Sequence, residues 1–558
     1  MGFLGILEDK ALSHVPATVI LSEGQDHIDG ATADLKRGTG KDVEIILIPQ
    51  PSDDPNDPLN WSTTKKWVIM SIVAYGSILY AAVLAPLLSP ALVVIAQDFD
   101  VKVADITVIS GYMLLVTGSV GPFVSACARK YGKRPMLLLA SLCGLVGTIV
   151  GSAVYSYNGL LVGRVIQGGS ISAFESIVVS MIGDLFYVHQ RGGFMTLIQF
   201  VVAAASNFSA IIVGPIATNL GWRYLFHILI PFSALEVILL FFFVPETAYN
   251  RSHRYNIDSH SQDDLHDSAP TSHNSALNTE KLQTGTARVD TVPSISTAAL
   301  TEKKSFTQSL AIFTGTYTSD NLLQLTLAPC AVCLNLAVLW MVLLTGGLFA
   351  FFVAQSYVMA QIFMAPPYLL SAAGVGYLAL GPFLGGLLAS VLYACVFDRL
   401  AVWCARKNTG VYEPEYRLLG MVPSVLTTGV GLCLFGYLAQ EGASYYLTSF
   451  VHGVDLFGIV CAAVASSSYI LDAFRDISAE VFIINMVVKN FLFYGFSYFV
   501  NDWTARAGPA EVFYVFAGVA GGIICAAPVF FFWGKRYRSY WSRHNLLRKW
   551  GITTHMEM

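Results

Sequence analysis

Charge is what this chain has least of. Of its 558 residues only 13% are Asp, Glu, Lys or Arg, while 54% are hydrophobic and mean hydropathy is positive. Such a balance excludes an ordinary soluble globule and reads as a polytopic membrane protein. The formal net charge of −4 lies in the stretches between apolar runs and offers nothing to a nucleic acid. No Gly-x-x-x-x-Gly-Lys-Ser/Thr loop is present to cradle a nucleotide phosphate. A zinc-binding helix motif and a nucleophile elbow are missing as well, so no enzyme is expected. The nine cysteines lie mostly inside or beside apolar runs, and Cys330-x-x-Cys333 has neither a second pair nor a histidine cluster beside it. Neither a metal nor a cofactor is therefore expected. The first 66 residues are polar and lack the apolar core of a cleavable signal peptide.

What the chain has is long apolar runs. They fall at about 67–96, 104–126, 135–156, 159–183, 193–216 and 223–244, then at 333–363, 371–398, 418–440, 445–471, 476–500 and 510–534. Each reaches the roughly 20 residues needed to span hydrocarbon as a helix. The pattern is six, a polar break, and six, which suggests two bundles related by an internal repeat. The expected divisions are a disordered tail over 1–66 ending in an interfacial anchor (Trp61, Lys65, Lys66, Trp67), a first bundle over 67–244, a largely disordered linker over 245–332, a second bundle over 333–534 and a basic tail over 535–558. Lys65, Lys66, Arg129, Lys130, Lys133, Arg134, Arg191, Arg399, Arg406, Lys407, Arg417 and the basic tail all fall on one side, against Lys102, Arg223 and Arg506 on the other. The excess of positive charge in cytosolic loops puts both termini and the linker in the cytosol. The tail Lys535–Trp550 is expected to lie on the inner leaflet.

One apolar run is conspicuously polar. Arg164-Val-Ile-Gln167-Gly168-Gly169-Ser-Ile-Ser-Ala-Phe-Glu175 carries a cation, an amide and a carboxylate. Residues 164 and 175 fall on nearly one helix face, about 16 Å apart along the axis. An ionisable side chain at mid-membrane costs at least about 2.5–3.5 kcal/mol, so this face implies a water-filled pathway or a protein interior. Arg164 either serves that pathway or pairs with a neighbouring helix; Glu175, nearer mid-membrane, is read as functional.

The two-bundle layout resembles the major facilitator superfamily, and short motifs carry the likeness. Arg129-Lys130-Tyr131-Gly132-Lys133-Arg134 is similar to the second half of its cytosolic loop signature. Arg164-x-x-Gln167-Gly168 resembles its fourth-helix signature, Gly214-Pro215 the core of its antiporter signature, and Pro245-Glu246-Thr247 the usual end of its sixth span. The twelve-span drug:proton antiporter branch, with fungal members that include polyamine and cation transporters, is resembled further in Asn56–Lys66, Asp184–Gly192, Asn219–Arg223, Gly410–Glu415, Asp472–Glu480 and Phe499–Trp503. Two departures stand out. Where the loop signature has Gly and Asp this chain has Ser125 and Arg129, so the latch between bundles must differ. The glycines flanking the antiporter core are Ala210 and Thr218. The second bundle's equivalent loop keeps Asp398-Arg399 without the glycine pattern.

The resemblance implies an all-α fold in which spans 1, 4, 7 and 10 line a central cavity. On that scheme Glu175 in span 4 and Asp455 in span 10 are candidates to face each other, as proton carriers or as attractors of a cation. Asp455 has an alternative as a structural partner of His452 or Lys489. Lys489, beside Asn490 in span 11, needs a partner, and Asp455 and Glu175 are the choices. Asp472, Asp476 and Glu480 recur every four residues; the first two read as a helix end, Glu480 as a deeper candidate. Gln355, Tyr357 and Gln361 in span 7 and Asn207 in span 5 are candidate ligand contacts or packing groups. Glu236, on a peripheral span, is read as structural. Arg129, Gly132, Lys133, Arg134, Asp398, Arg399, Gly214 and Pro215 are the expected gating positions. The expected function is proton-coupled transport, in the export direction, of small organic molecules such as drugs or secreted metabolites, by a monomer in the plasma membrane. Transport of polyamine-like cations and a non-transporting sensor of the same fold are the alternatives.

Overall fold

A computed structural model describes residues 3–9, 12, 15–20, 51–52, 54–187, 205–249, 303–408 and 410–549. Its first long helix, α1 (Thr63–Phe99), begins where the Ser62 hydroxyl accepts the N–H of Lys65. It does not stay regular: Ser77–Leu84 winds as a π-helix and Ser89–Ala91 as a 3₁₀ turn. Pro86 and Pro90 lack the N–H that would continue the ladder, which breaks the helix there. α2 (Val103–Tyr131) and α3 (Lys133–Ala153) are separated by Gly132 alone, whose φ of +102° makes the reversal possible. α4 (Tyr157–Leu185) is capped by Ser156, and α5 is described over 205–219. α6 (Arg223–Phe243) completes the first bundle.

The second bundle holds α7 (Leu336–Phe363), α8 (Ala372–Lys407), α9 (Pro414–Gln440), α10 (Tyr445–Ala473), α11 (Ser478–Ala507) and α12 (Pro509–Ile524, prolonged by Ala527–Arg543). A turn at Gly508, φ +80°, separates the last two. Ten described stretches are long and apolar enough to cross a membrane, the last of which contains both α11 and α12. With α5 this gives the expected twelve spans. Large apolar side chains such as Leu139, Ile238, Leu388 and Leu426 are exposed on the outside, where lipid rather than water is the suitable solvent. Apart from a ladder of two residues per strand, no sheet occurs among the described residues.

Within the first bundle α4 packs on α2 and α3, and α6 on α3; within the second α10 packs on α8 and α9, and α12 on α9. Between bundles, α2 and α11 run antiparallel along most of their length. At one end the Tyr112 and Tyr498 hydroxyls meet at 2.9 Å, and at the other Arg129 meets Glu480 at 3.2 Å. α5 meets α8 and α1 meets α7 near the first of these ends. The end that carries both tails is called the tail face below, and the opposite one the far face.

The tails differ from expectation. Residues 3–9 and 15–20, read as part of a disordered segment, are docked on the tail face of the second bundle. Leu7 N–H donates to the Phe532 carbonyl at 3.0 Å, and Ile6 is buried beside Ala401, Cys404, Ala405 and Tyr416. Val19–Ile20 pairs antiparallel with Val411–Tyr412. The cause is electrostatic. Glu413 and Glu415 are buried and need cations, which α12 supplies: Arg538 reaches them at 2.7 and 2.9 Å, and Lys535 reaches Glu413 at 2.7 Å and Glu8 at 2.6 Å. Arg538 also donates to the Pro16 carbonyl. Lys535 and Arg538 therefore face protein rather than a lipid surface. Residues 54–62 are folded about the buried Asp57, which accepts from Ser52 and from the Leu59 N–H, and meet the first bundle where Tyr187 donates to the Leu59 carbonyl at 3.4 Å and Tyr249 to Asp54 at 3.1 Å. In the linker, 303–334 is ordered and its helix Leu322–Ala331 lies against both α2 and α11; residues 250–302 fall outside the described residues.

Candidate functional site

At the middle of the molecule, α4 of the first bundle touches α11 of the second. Glu175 Oε1 accepts from Lys489 Nζ at 3.1 Å, and Glu175 Oε2 accepts from Asn490 Nδ2 at 3.1 Å. Asn490 is held in place by donating also to the Met486 carbonyl one turn back. The Glu175 and Lys489 side chains keep 19% and 24% exposure, so the pair is not sealed within the protein. Of the two partners considered for Lys489, Glu175 is the one it meets. The arrangement is an ion pair that ties the halves together, open enough for a competing proton or ligand.

About three turns away on α4, Arg164 is fully buried and its guanidinium donates to the carbonyls of Leu84 (2.8 Å) and Ala85 (3.3 Å) and to Gln167 Oε1 (3.0 Å). Gln167 passes the link on to the Thr148 hydroxyl of α3 at 3.1 Å. The carbonyls Arg164 meets are those next to the proline break in α1. Irregular backbone at membrane depth is tolerated where a neighbour satisfies it in this way. Tyr357 of α7 is buried within electrostatic reach of Arg164, so this cluster also faces the second bundle. The role of Thr148 and of the α1 carbonyls left no trace in the sequence pattern.

Asp455 does not meet Glu175. It is fully buried inside the second bundle, its Cα and Cβ pressed against α9 at Gly431 and its carboxyl directed at Gln355 of α7. Neither its oxygens, nor the Gln355 amide atoms, nor the ring nitrogens of His452 have a hydrogen-bond partner among the described residues. His452, one turn earlier, lies between the rings of Phe352 and Phe435, at 5.0 and 5.4 Å. Gln361 donates to the Asn501 carbonyl at 3.2 Å and acts as helix packing; Asn207 is half-buried on α5.

Glu480, expected deeper among substrate-facing groups, is instead taken by Arg129 at the tail face. This answers the departure in the loop signature. The position where the resemblance leads one to expect Asp is a cation here, and the facing helix supplies the acid. The rest of the loop is a network. Glu246 accepts the N–H groups of Lys133 and Arg134 at 2.9 and 3.1 Å, an anion on the first turn of α3. Arg134 donates to the carbonyls of Phe241, Val244, Ser309 and Leu310, and Lys133 pairs with Asp184 at 2.5 Å. A Cβ on Gly132 would lie 2.2 Å from Glu246 Oε2, so the signature glycine is also the seat of that carboxylate. In the second bundle Asp398 pairs with Arg417, which also reaches Asp472 at 3.0 Å, while Arg399 is exposed. Burial, and the Asp472 carboxylate beside it, push the Tyr412 phenol well above its ordinary range, so it remains a donor to Asp472.

Towards the far face, α5 and α8 meet backbone to backbone. A Cβ on Gly214 would lie 2.6 Å from the Ala372 carbonyl, and one on Gly376 2.5 Å from that of Ala210. Half-buried Pro215 follows Gly214, and the Thr218 hydroxyl accepts the Ala373 N–H at 2.9 Å. The antiporter core is thus a seam between bundles, which explains its small residues.

Two antiparallel-packed helix bundles joined by such seams, with charged and amide side chains held between them at membrane depth, define a membrane carrier rather than a channel or an enzyme. The family model described as Major Facilitator Superfamily matches residues 68–493, and the chain belongs to that superfamily. It is similar to an uncharacterised MFS-type transporter of Schizosaccharomyces pombe, 23% identical over 95% of this chain and 94% of that one. It is also similar to the protein HOL1 of Saccharomyces cerevisiae, 22% identical over 95% and 96%. Among solved structures, the proton:xylose symporter XylE bound to 6-bromo-6-deoxy-D-glucose shares the fold with a TM-score of 0.52 at 12% identity, over 84% of this chain and 97% of that one. The protein is a multi-pass membrane transporter of this superfamily.

Proposed function

We propose that the protein is a proton-coupled secondary transporter that exports small organic molecules by alternating access, with Glu175 as the coupling group. The observation that carries this reading is the Glu175–Lys489–Asn490 bridge, a part-exposed carboxylate shared between the two halves. A proton or a ligand group arriving at Glu175 competes with Lys489 and unties α4 from α11. Once untied, the bundles rock about the central site. Arg164 and Gln167 hold α4 to α1 and α3, so the release is transmitted to the first bundle as one body. Arg129 with Glu480 closes the tail face, and the Gly214–Gly376 seam closes the far face. The excess of Lys and Arg at the tail face makes that face cytosolic, and the plasma membrane is the fitting location for an exporter.

The polyamine reading comes from the resemblance, and two carboxylates sharing one cavity would favour it. Lys489 offsets the charge of Glu175, and Asp455 lies on another face of α10, so a neutral or amphiphilic organic substrate fits the site better. A resistance screen of cells lacking the protein supplies a transported compound. Uptake of that compound into reconstituted vesicles, with and without a pH gradient, then tests the coupling. Glu175→Gln is expected to leave expression intact and to lower gradient-driven transport about 100-fold or more, equivalent to about 2.7 kcal/mol. Wild-type-like transport by that variant would remove Glu175 from the mechanism.

A further inference from the structure

Glu236 of α6 takes no part in the central site, and its surroundings are unlike those of any other acid in the first bundle. It is fully buried, and neither carboxyl oxygen has a hydrogen-bond partner. Its seat is made by an absence. A Cβ on Gly76 of α1 would lie 2.4 Å from Glu236 Oε1 and 2.2 Å from the Phe174 ring of α4, so the bare backbone of α1 makes room for both. One turn back on α6, the Ser233 hydroxyl is also buried, and it is approached by Tyr80 rather than by Glu236. The titratable groups facing the site are two phenols of α1, and both are committed elsewhere: Tyr75 donates to the Phe232 carbonyl at 3.1 Å and Tyr80 to the Ser141 carbonyl of α3 at 3.2 Å. α4 brings only the Phe174 ring, and no lysine, arginine or histidine among the described residues pairs with Glu236.

A carboxylate with no cation beside it and no hydrogen bond to either oxygen, sealed at membrane depth, takes up a proton rather than keep its charge. The site also touches the moving parts. The π-helical stretch of α1 starts at Ser77, one residue beyond Gly76, and such stretches are frequent at functional sites. Phe174 precedes Glu175, so the helix that seals Glu236 is the one that carries the bridge to Lys489. We propose that Glu236 is a second proton-binding site, off the central pathway, occupied while α1, α4 and α6 are packed as here and emptied when α4 shifts and water enters.

Infrared spectroscopy of the full-length protein in lipid nanodiscs, with ¹³C-labelled glutamate, reads this without any transported compound. The label separates Glu236 from Asp455. Loss of the band in Glu236→Gln separates Glu236 from the remaining glutamates. The expected result is a band of a protonated glutamic acid without hydrogen bonds at neutral pH, lost in Glu236→Gln. Because the band is read in the unmutated protein, a poorly folding variant does not remove the test. A disulfide between Thr218→Cys and Ala373→Cys, with exposed Cys330, Cys395 and Cys525 replaced by serine, holds the far-face seam shut. Proton binding is then expected to tighten at least about tenfold, one pH unit, relative to the same protein with the disulfide reduced. Lack of the band in wild-type protein at neutral pH, its survival in Glu236→Gln, or an identical titration of the locked and unlocked forms would overturn the proposal. Because no transport is measured, failure here leaves the role of Glu175 standing, and failure of Glu175 leaves this site standing.

Discussion

In the first bundle, the Arg164 terminal nitrogens donate to two carbonyls and to Gln167, which donates in turn to Thr148. At similar burial in the second bundle, Asp455 and Gln355 face only one another and His452 lies between two rings, with no further hydrogen-bond partner among the described residues. The tail faces show a second contrast. The first bundle closes its loops with carbonyls and amide N–H groups around Arg134 and Glu246, whereas the second uses stacked charges: Lys535 and Arg538 against Glu413 and Glu415. The first bundle thus spends its polar groups on holding α1, α3 and α4 together. The second stacks buried acids and bases at its tail face and gathers Asp455, Gln355 and His452 inside, whereas the unpartnered Glu236 of the first, with Ser233 one turn back, lies under α1, away from that network. Rigid-body rocking suits the former. The latter can admit water or a ligand group without first breaking an ion pair.

The most severe way to test this contrast is at the charge stack. Arg538→Met leaves buried Glu415 without its cation and Glu413 with Lys535 alone, and a cost of about 3–5 kcal/mol is expected. Thermal unfolding in detergent, compared with Glu415→Gln, measures it; a loss under about 1 kcal/mol would show that the stack is solvated and the contrast unfounded. A middle-sized effect belongs to the latch. In a double-mutant cycle of Arg129→Gln and Glu480→Gln, a coupling of about 0.5–3 kcal/mol is expected from two side chains in direct contact. Exchanging them, Arg129→Glu with Glu480→Arg, should restore most of it, read as protection of tail-face cysteine labels. The smallest effect is expected at Asp455→Asn. If the buried carboxyl already carries its proton, the amide is a near-isostere, and stability changes by less than about 1 kcal/mol at any pH from 6 to 8. A marked, pH-dependent change would mean a charged aspartate with a partner, and the second bundle would then resemble the first.

Much of the architecture was legible beforehand because membrane-spanning helices announce themselves by length and apolarity. The six-linker-six pattern and the reading of Lys489 as a group in need of an acid both rest on desolvation, which acts on a residue whatever its neighbours. Asp455 shows where such reading stops. Its span was identified, but α10 is apolar on nearly all sides, and nothing in hydropathy sets the rotation of such a helix about its axis. Packing against α9 at Gly431 sets it instead, and turns the carboxyl from the cavity toward Gln355. Glu480 was placed too deep because its partner, Arg129, is 351 positions away in sequence. The docking of residues 3–9 and 15–20 was missed for a similar reason: a short tail segment looks structureless until the acids of one loop and the cations of α12 are brought to the same corner.

The α5–α8 seam has a consequence for the energy of switching. Main-chain atoms and small residues meet there, with one hydroxyl-to-amide contact and the Phe208–Phe383 ring pair as its side-chain interactions of note. No ion pair crosses it among the described residues, so on the reading proposed above parting it strands no charge. One proton falling through 100 mV releases about 2.3 kcal/mol. A gate built of bare peptide is one that so modest a driving force can swing.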